Sequence, residues 1–189
     1  MAREFWKPGN MLYPVPAVMV SCARPGEKPN IITIAWAGTV CSDPAMVSIS
    51  VRKERYSYSI IKETGEFVMN LTTKKLTFAA DYCGVRSGRD IDKFREMNLT
   101  PSESKTVRAP GIAQSPVSIE CKVKQVIELG SHDMFLAEVT AVSVDSDYMD
   151  ASGKFHLNDI GLTAYSHGEY FELGEKLGKF GYSVKKRKK

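Results

Sequence analysis

The segment Asn30–Asn70 reads NIITIAWAGTVCSDPAMVSISVRKERYSYSIIKETGEFVMN. Its first part, Asn30–Ala37, alternates its side chains with a period of two, which predicts a half-buried strand. Met46–Val51 alternates in the same way and presents Ser48 and Ser50 on the face opposite its aliphatic residues. Two adjacent strands of this kind are expected to form a shallow, hydroxyl-lined floor that suits a flat polar ring.

The connection between these two strands is predicted to be a loop over Gly38–Pro44. It carries Cys41, Ser42 and Asp43 directly before a proline, which is typical of a turn. A turn leaves some backbone N–H and C=O groups outside a strand ladder. We therefore expect free backbone amides here that can bind the edge of a ring.

A cationic turn follows the second strand. Arg52, Lys53 and Arg55 precede a short predicted helix with Ser57 as its N-cap and Gly65 just past its end. A helix N-terminus beside guanidinium groups suits a phosphate monoester. Taken alone, however, the segment fits a solvated basic turn better, because it has no glycine-rich cradle.

The rest of the chain contains more strand patterns than helix patterns. Apolar residues at helical spacing between Leu76 and Cys83 predict a helix that stops at Gly84, and a second short helix is predicted near 90–97. Further strands are predicted at Val15–Ala23, Glu66–Leu71, Val117–Leu129 and Met134–Val144, the last two joined by a hairpin turn at 130–133. The predicted class is mainly β, an antiparallel barrel with helical insertions.

Composition is that of an ordinary folded chain. Of 189 residues, 43% are hydrophobic and 25% charged, which predicts a single domain over 1–184 and a basic tail at 185–189. The five cations of the tail exceed the net charge of +4, so the rest is close to neutral. A solvated terminus is favoured over a nucleic-acid contact. No apolar stretch approaches the roughly 18 residues of a membrane span, so we expect a cytoplasmic protein.

The four cysteines do not form a recognisable redox or metal motif. Cys22, Cys41, Cys83 and Cys121 are too far apart in sequence for a C-x-x-C pair or a zinc knuckle. No metal site is therefore expected. Cys121 fits a small core residue, and Cys41 is also more consistent with packing than with a reactive thiol.

Several separated motifs, taken together, resemble the flavin reductase-like, flavoredoxin-type family. Ala137 stands where that family often has glycine, which is a mild departure. The resemblance covers roughly 12–144. Its motifs are N-x-x-T-x-A-W-x-G at 30–38, the loop at 41–44, S-x-S-x-R at 48–52, G-E-F-V-x-N at 65–70, S-G-R-D-I-D-K-F at 87–94, S-P-V-S-I-E-C at 115–121 and G-S-H at 130–132.

This resemblance implies a Greek-key split β-barrel that binds FMN as a homodimer. It implies that His132, otherwise a solvated turn residue, approaches the flavin as a hydrogen-bond or proton donor. It also gives a role to Lys93, which is otherwise an exposed helix lysine. The cofactor-binding residues implied are Thr33, Ala35, Trp36, Val40, Cys41, Ser42, Ser48, Ser50, Val51, Arg52, Tyr56, Ser57, Ser87, Gly88, Lys93 and Phe94.

Three functions remain open from the sequence. The first is a flavin reductase that uses NAD(P)H, and the second is a flavoredoxin-type electron carrier served by a redox protein. The chain lacks a G-x-G-x-x-G motif after a strand, so a nicotinamide is expected to stack on the flavin rather than occupy its own domain. The third is an OB-like binding barrel without a redox role, which the near-neutral body of the chain disfavours.

Overall fold

The computed structural model describes residues 2–184, and the basic tail at 185–189 lies outside them. The described chain is mostly β-strand with a few helices. The helices are α1 (Tyr56–Thr64), α2 (Thr77–Val85) and α3 (Lys93–Glu96). The strands are β1 (Val15–Pro16), β2 (Val18–Cys22), β3 (Asn30–Ile34), β4 (Ala37–Ser42), β5 (Ala45–Arg52), β6 (Glu66–Leu71), β7 (Pro101–Ser102), β8 (Gly111–Ile112), β9 (Val117–Glu128), β10 (His132–Val144), β11 (Thr163–Ser166) and β12 (Glu169–Glu172).

The main sheet curls into a half-barrel. Its seven antiparallel strands run in the order β3-β2-β6-β9-β10-β5-β4, so β3 and β4 form opposite edges. Only Ala35 and Trp36 connect these two strands. Three successive Cα–Cα steps span at most about 11 Å, so the two edges must lie close together. The predicted class, mainly β and barrel-like with helical insertions, is confirmed.

Both faces of the β2–β3 region are buried, each by a different layer. The aliphatic face of β5 lies in the interior of the curl. Buried and half-buried residues alternate along that strand, as the sequence predicts. The outer face packs against α2 and α3, where Ile31 and Phe94 share a second core. The strand that carries the candidate site is therefore fixed from both sides.

Residues 38–42 form a strand, so the prediction of a loop over Gly38–Pro44 is wrong for most of that range. β4 pairs with β5, with Gly38 opposite Ser48, and only the Asp43–Pro44 corner is a turn, with a cis peptide bond. Small, polar side chains suffice here because the pairing uses backbone groups on an edge strand. The prediction that the first two strands are adjacent is also wrong, since β4 and β10 flank β5.

Two of the predicted site residues, Ser57 and His132, occupy positions in the fold other than those predicted. Helix α1 begins at Tyr56 with Arg55 as its N-cap, and Ser57 lies inside the helix, where its hydroxyl accepts a hydrogen bond from Asn30 Nδ2 at 2.8 Å. Gly65 ends the helix with φ of 69°, as predicted. His132 is the first residue of β10 rather than a turn residue, because it still pairs with Arg52 of β5.

The C-terminal part forms a hairpin that packs beside the barrel. β11 and β12 join through His167 and Gly168, both with positive φ, and β11 pairs with β1. A two-residue turn with positive φ at both residues has a backbone twist that matches the right-handed twist of the two strands it joins. Among residues 2–184, no helix is long and apolar enough to cross a membrane.

Candidate functional site

Two small cavities adjoin along β3. The cationic cavity has a volume of about 160 Å³ and the central cavity about 150 Å³, and both are lined by Ile32 and Arg55. The cationic cavity is further lined by Asn30, Glu54, Tyr56, Ser57, Cys83, Arg86, Ser87, Gly88, Arg89 and Lys93. The central cavity is further lined by Thr33, Ile34, Ala35, Trp36, Ser50, Val51, Arg52 and His132.

Positive charge dominates the cationic cavity. Its lining includes three arginines and Lys93 but a single carboxylate, that of Glu54. The Arg89 guanidinium lies 5.7 Å from the centre of the Tyr56 ring and donates to the Glu54 carbonyl at 3.3 Å. Stacked guanidinium groups present several donors in a fixed geometry, which suits a phosphate or carboxylate ligand.

Lys93 is the most buried of these cations, with 3% of its surface exposed. Its ammonium donates to the carbonyl oxygens of Ile31 at 2.6 Å and Cys83 at 2.7 Å. Burial lowers the pKa of Lys93 to about 8, since the charged form loses its hydration. Both of these carbonyl acceptors are uncharged, so a bound anion would stabilise the protonated ammonium.

The backbone at Gly88 closes one side of the cationic cavity. A Cβ atom at this position would lie 2.1 Å from Asn30 Oδ1 and 2.9 Å from Tyr56 Cδ1. Asn30 is itself held by its hydrogen bond to Ser57 on α1. The absence of a side chain at Gly88 therefore lets this loop approach β3 and α1 closely enough to form a cradle.

The central cavity is lined by hydroxyl and small side chains. Thr33 and Trp36 line it, together with Ser50 and Arg52 of β5. The Thr33 hydroxyl donates to the Ala80 carbonyl of α2 at 2.5 Å, which ties β3 to that helix. The Ser50 N–H donates to the Trp36 carbonyl at 2.8 Å, which fixes the bend between β3 and β4.

His132 is half-buried at the edge of the central cavity. Its Nδ1 lies 2.8 Å from Ser131 Oγ. Burial first, and then the positive charge of Arg52, lower the pKa of His132, and Glu54 opposes this. The imidazole is therefore uncharged near neutral pH. In this form it can donate or accept a hydrogen bond, but it does not act as a cation.

The structure brings together most of the predicted site residues. Val40, Cys41 and Ser42 lie farther along β4 and line neither cavity, and Phe94 packs in the second core. The predicted residues that line the cationic cavity are Tyr56, Ser57, Ser87, Gly88 and Lys93. Those that line the central cavity are Thr33, Ala35, Trp36, Ser50, Val51, Arg52 and His132, while Ser48 lines a cavity next to it.

The lining residues outside the predicted set are Asn30, Ile32, Ile34, Glu54, Arg55, Cys83, Arg86 and Arg89. Arg55, Arg86 and Arg89 flank the predicted phosphate-side residues, and Asn30 begins the first motif. In the sequence analysis, Arg55 is one cation of the turn that is predicted to suit a phosphate. Nothing in a single sequence distinguishes an arginine that points into a cavity from one that points into water.

The curled half-barrel with this paired cavity defines a split-barrel protein. Residues 11–174 match the flavin reductase like domain, and the chain belongs to that family. The resemblance inferred from the motifs is thereby confirmed.

Individual proteins are similar to this chain over most or all of their own length. The flavoredoxin of Desulfovibrio vulgaris (Miyazaki F) is similar with a TM-score of 0.89 and 32% identity, covering 97% of this chain and 100% of that chain. A flavoredoxin from Methanosarcina acetivorans has a TM-score of 0.85 and 24% identity with the same coverage. An uncharacterized protein of Archaeoglobus fulgidus is 31% identical over 160 residues, or 85% of this chain and 88% of its own.

Proposed function

We propose that the protein is a flavoprotein oxidoreductase that binds FMN, with the phosphate in the cationic cavity and the ring against the central cavity. One observation carries this proposal: the two cavities share Ile32 and Arg55, so one ligand with an anionic end and a flat ring can span both. The similarity to a flavoredoxin at 32% identity supports it.

The residues of the cationic cavity fit a phosphate monoester. Lys93 and Arg55 supply charge, and the Gly88 cradle leaves room for backbone approach. A charge-assisted hydrogen bond is about twice as strong as a neutral one, so these groups favour FMN over uncharged riboflavin. Bound FMN supplies the electron-transfer chemistry, and the protein supplies binding and orientation.

The residues of the central cavity orient a ring and limit its contact with water. Thr33 and Trp36 line this cavity and are held by hydrogen bonds to α2 and β5. His132 lines the same cavity, where its uncharged imidazole would donate a hydrogen bond to the ring. Roles in cofactor binding for Val40, Cys41, Ser42 and Phe94 stay predictions, as does a cytoplasmic location.

The direct test is flavin content and selectivity. We expect the purified protein to be yellow with bound FMN, or to take up FMN in preference to riboflavin in a fluorescence titration. The phosphate is the only difference between these two ligands, so their affinities measure the cationic cavity alone. Equal affinities would contradict the assignment of that cavity to a phosphate.

The source of electrons separates two versions of this function. In the first, NAD(P)H reduces the flavin directly, and in the second a redox protein does so, as in a flavoredoxin-type carrier. The similarity to a solved flavoredoxin favours the second version. Anaerobic titration with NADH and NADPH distinguishes them, because only the first version predicts stoichiometric bleaching of the flavin absorbance by either nucleotide.

We also propose a homodimer, and we expect FMN occupancy to fall when the dimer is diluted. Large apolar side chains near both ends of the chain are almost fully exposed, including Phe5, Leu12, Leu177 and Phe180. Burial against a second copy would stabilise association by about 25 cal/mol per Å² of apolar surface. Sedimentation velocity with flavin absorbance measures mass and occupancy together.

The dimer prediction has a matched pair of variants. Phe180→Glu should shift the protein toward the monomer, whereas Leu157→Glu, at an exposed leucine outside the terminal segments, should not. A monomeric wild-type protein with its full complement of tightly bound flavin would contradict the dimer prediction.

FMN affinity is expected to fall as pH rises through and above about 8, while riboflavin affinity stays constant. The phosphate favours protonated Lys93, whose pKa burial lowers to about 8, and deprotonation removes that attraction. The second ionisation of a phosphate monoester lies near about pH 6, so the ligand keeps its charge across this range. Parallel titrations from pH 7 to pH 10 measure the difference.

Lys93→Met serves as the control for this pH dependence. It should bind FMN weakly at every pH and show no slope, because the titrating group is gone. A slope that persists in Lys93→Met would assign the pH dependence to another group.

A further inference from the structure

A third cavity adjoins the central cavity along Thr33, Ala35 and Trp36. It has a volume of about 350 Å³, and Tyr13, Trp36, Tyr165 and Tyr170 line it. We call it the aromatic cavity. Its volume falls in the usual range of small-molecule sites, roughly 300–1,000 Å³. The function proposed above uses only Trp36 of these four rings.

The four rings are half-buried and tilted against one another. Tyr13 lies 6.2 Å from Trp36 and 6.3 Å from Tyr165, and Tyr165 lies 5.5 Å from Tyr170, with interplanar angles of 46° to 63°. Tyr165 and Tyr170 are cross-strand partners of the β11–β12 hairpin, so the backbone fixes their spacing. Tilted rings keep part of each π-face free for a flat ligand.

The charge of the aromatic cavity is opposite to that of the cationic cavity. Among the described residues that line it, Asp81 is the only one with a formal charge. The Tyr170 hydroxyl donates to Asp81 Oδ1 at 3.2 Å. Burial, reinforced by the Asp81 carboxylate, raises the pKa of Tyr170 to about 12, so the phenol stays a neutral donor. A carboxylate among aromatic faces attracts cations and repels anions.

We propose that the aromatic cavity is a binding site for a flat aromatic ligand that is uncharged or positively charged. Thr33, Ala35 and Trp36 line both this cavity and the central cavity, so the ligand binds next to the cofactor ring. The placement of the ligand next to the cofactor rests on the proposed function. A ligand bound there could exchange electrons with the flavin, so it is a candidate for the small-molecule redox partner. Anionic rings of the same size bind more weakly, because the Asp81 carboxylate repels them.

Three probes of similar size and different charge test this proposal: quinoline, N-methylquinolinium and naphthalene-2-sulfonate. We measure their binding to the FMN-loaded protein by equilibrium dialysis. Quinoline and N-methylquinolinium are expected to bind at least about tenfold more tightly than the sulfonate, because Asp81 opposes the anion. Asp81→Asn should largely remove the discrimination against naphthalene-2-sulfonate, because the opposing carboxylate is gone.

Variants of the cavity wall locate the probe. Tyr165→Ala and Tyr13→Ala should each weaken quinoline binding by about tenfold, through loss of aromatic contact. Phe171→Ala is the matched control, because Phe171 follows Tyr170 on β12, is half exposed and does not line the cavity. Circular dichroism verifies that each variant is folded.

Equal affinities for naphthalene-2-sulfonate and N-methylquinolinium would overturn the proposal. So would an equal loss of quinoline affinity in Phe171→Ala and Tyr165→Ala. Displacement of quinoline by FMN would overturn it as well, because the two ligands would then share one site. FMN and quinoline are also titrated, separately and together, against the flavin-free protein. FMN binding without quinoline binding contradicts only the aromatic site. Quinoline binding without FMN binding contradicts only the cofactor proposal.

Discussion

Replacing Arg55 with methionine is expected to weaken FMN binding by roughly 10- to 100-fold and to change riboflavin binding by less than about threefold. Arg55 is half-buried and lies on the wall shared by the two cavities, where its guanidinium donates to the Gly84 carbonyl at 2.6 Å. Methionine keeps much of the aliphatic volume but removes the charge. Flavin fluorescence titrations with both ligands measure the two affinities.

Arg52→Met is the matched control for Arg55→Met. Arg52 lies three residues earlier in the same turn, but it lines the central cavity, has a half-exposed side chain and pairs with Glu54 at 3.6 Å. We expect it to change FMN and riboflavin affinities equally. The sequence-based prediction assigned the phosphate to the whole turn of Arg52, Lys53 and Arg55, and a selective loss of FMN in Arg52→Met would assign the phosphate to Arg52 instead of Arg55. Thermal unfolding of both variants excludes a folding defect.

The difference between these two arginines shows why the site was only partly predictable. The cationic turn is evident from sequence, but the direction of each side chain depends on where α1 begins. Ser57 looked like the N-cap by residue type, whereas its hydroxyl bonds Asn30, which is 27 residues away. That contact between β3 and α1 is a consequence of tertiary packing, and local patterns cannot specify it.

Lys93 illustrates the same limit for burial. At a helix start, directly after Asp92, it has the pattern of a solvated side chain, and only the family resemblance indicated a role for it. In the structure its ammonium reaches the Ile31 carbonyl, 62 residues away. The burial of a lysine depends on which elements pack over it, so it requires the assembled fold.

The strands were predictable to different degrees for a physical reason. β5 alternates buried and half-buried residues because one of its faces lies in the core, and this alternation is visible in the sequence. β4 is an edge strand whose residues are mostly exposed or half-exposed. It therefore lacks a hydrophobic pattern, and its existence depends on backbone pairing with β5.

His132→Ala is expected to slow reduction of the bound flavin by about 100-fold while FMN affinity and thermal stability stay near wild type. His132 begins β10 opposite Arg52 and lines the central cavity. Burial and Arg52 lower its pKa, so the uncharged imidazole acts as a hydrogen-bond donor near neutral pH. Anaerobic stopped-flow absorbance measures the rate with NADH, NADPH or a reduced carrier protein.

Two further variants separate the possible roles of His132. Glutamine retains a hydrogen-bond donor but cannot transfer a proton, so His132→Gln recovers most of the rate if donation is what matters. Ser131→Ala removes the partner of Nδ1 and should have a smaller effect, since the ring stays in place. A wild-type rate in His132→Ala with every donor would exclude a catalytic role. A large loss of FMN instead would make His132 a binding residue.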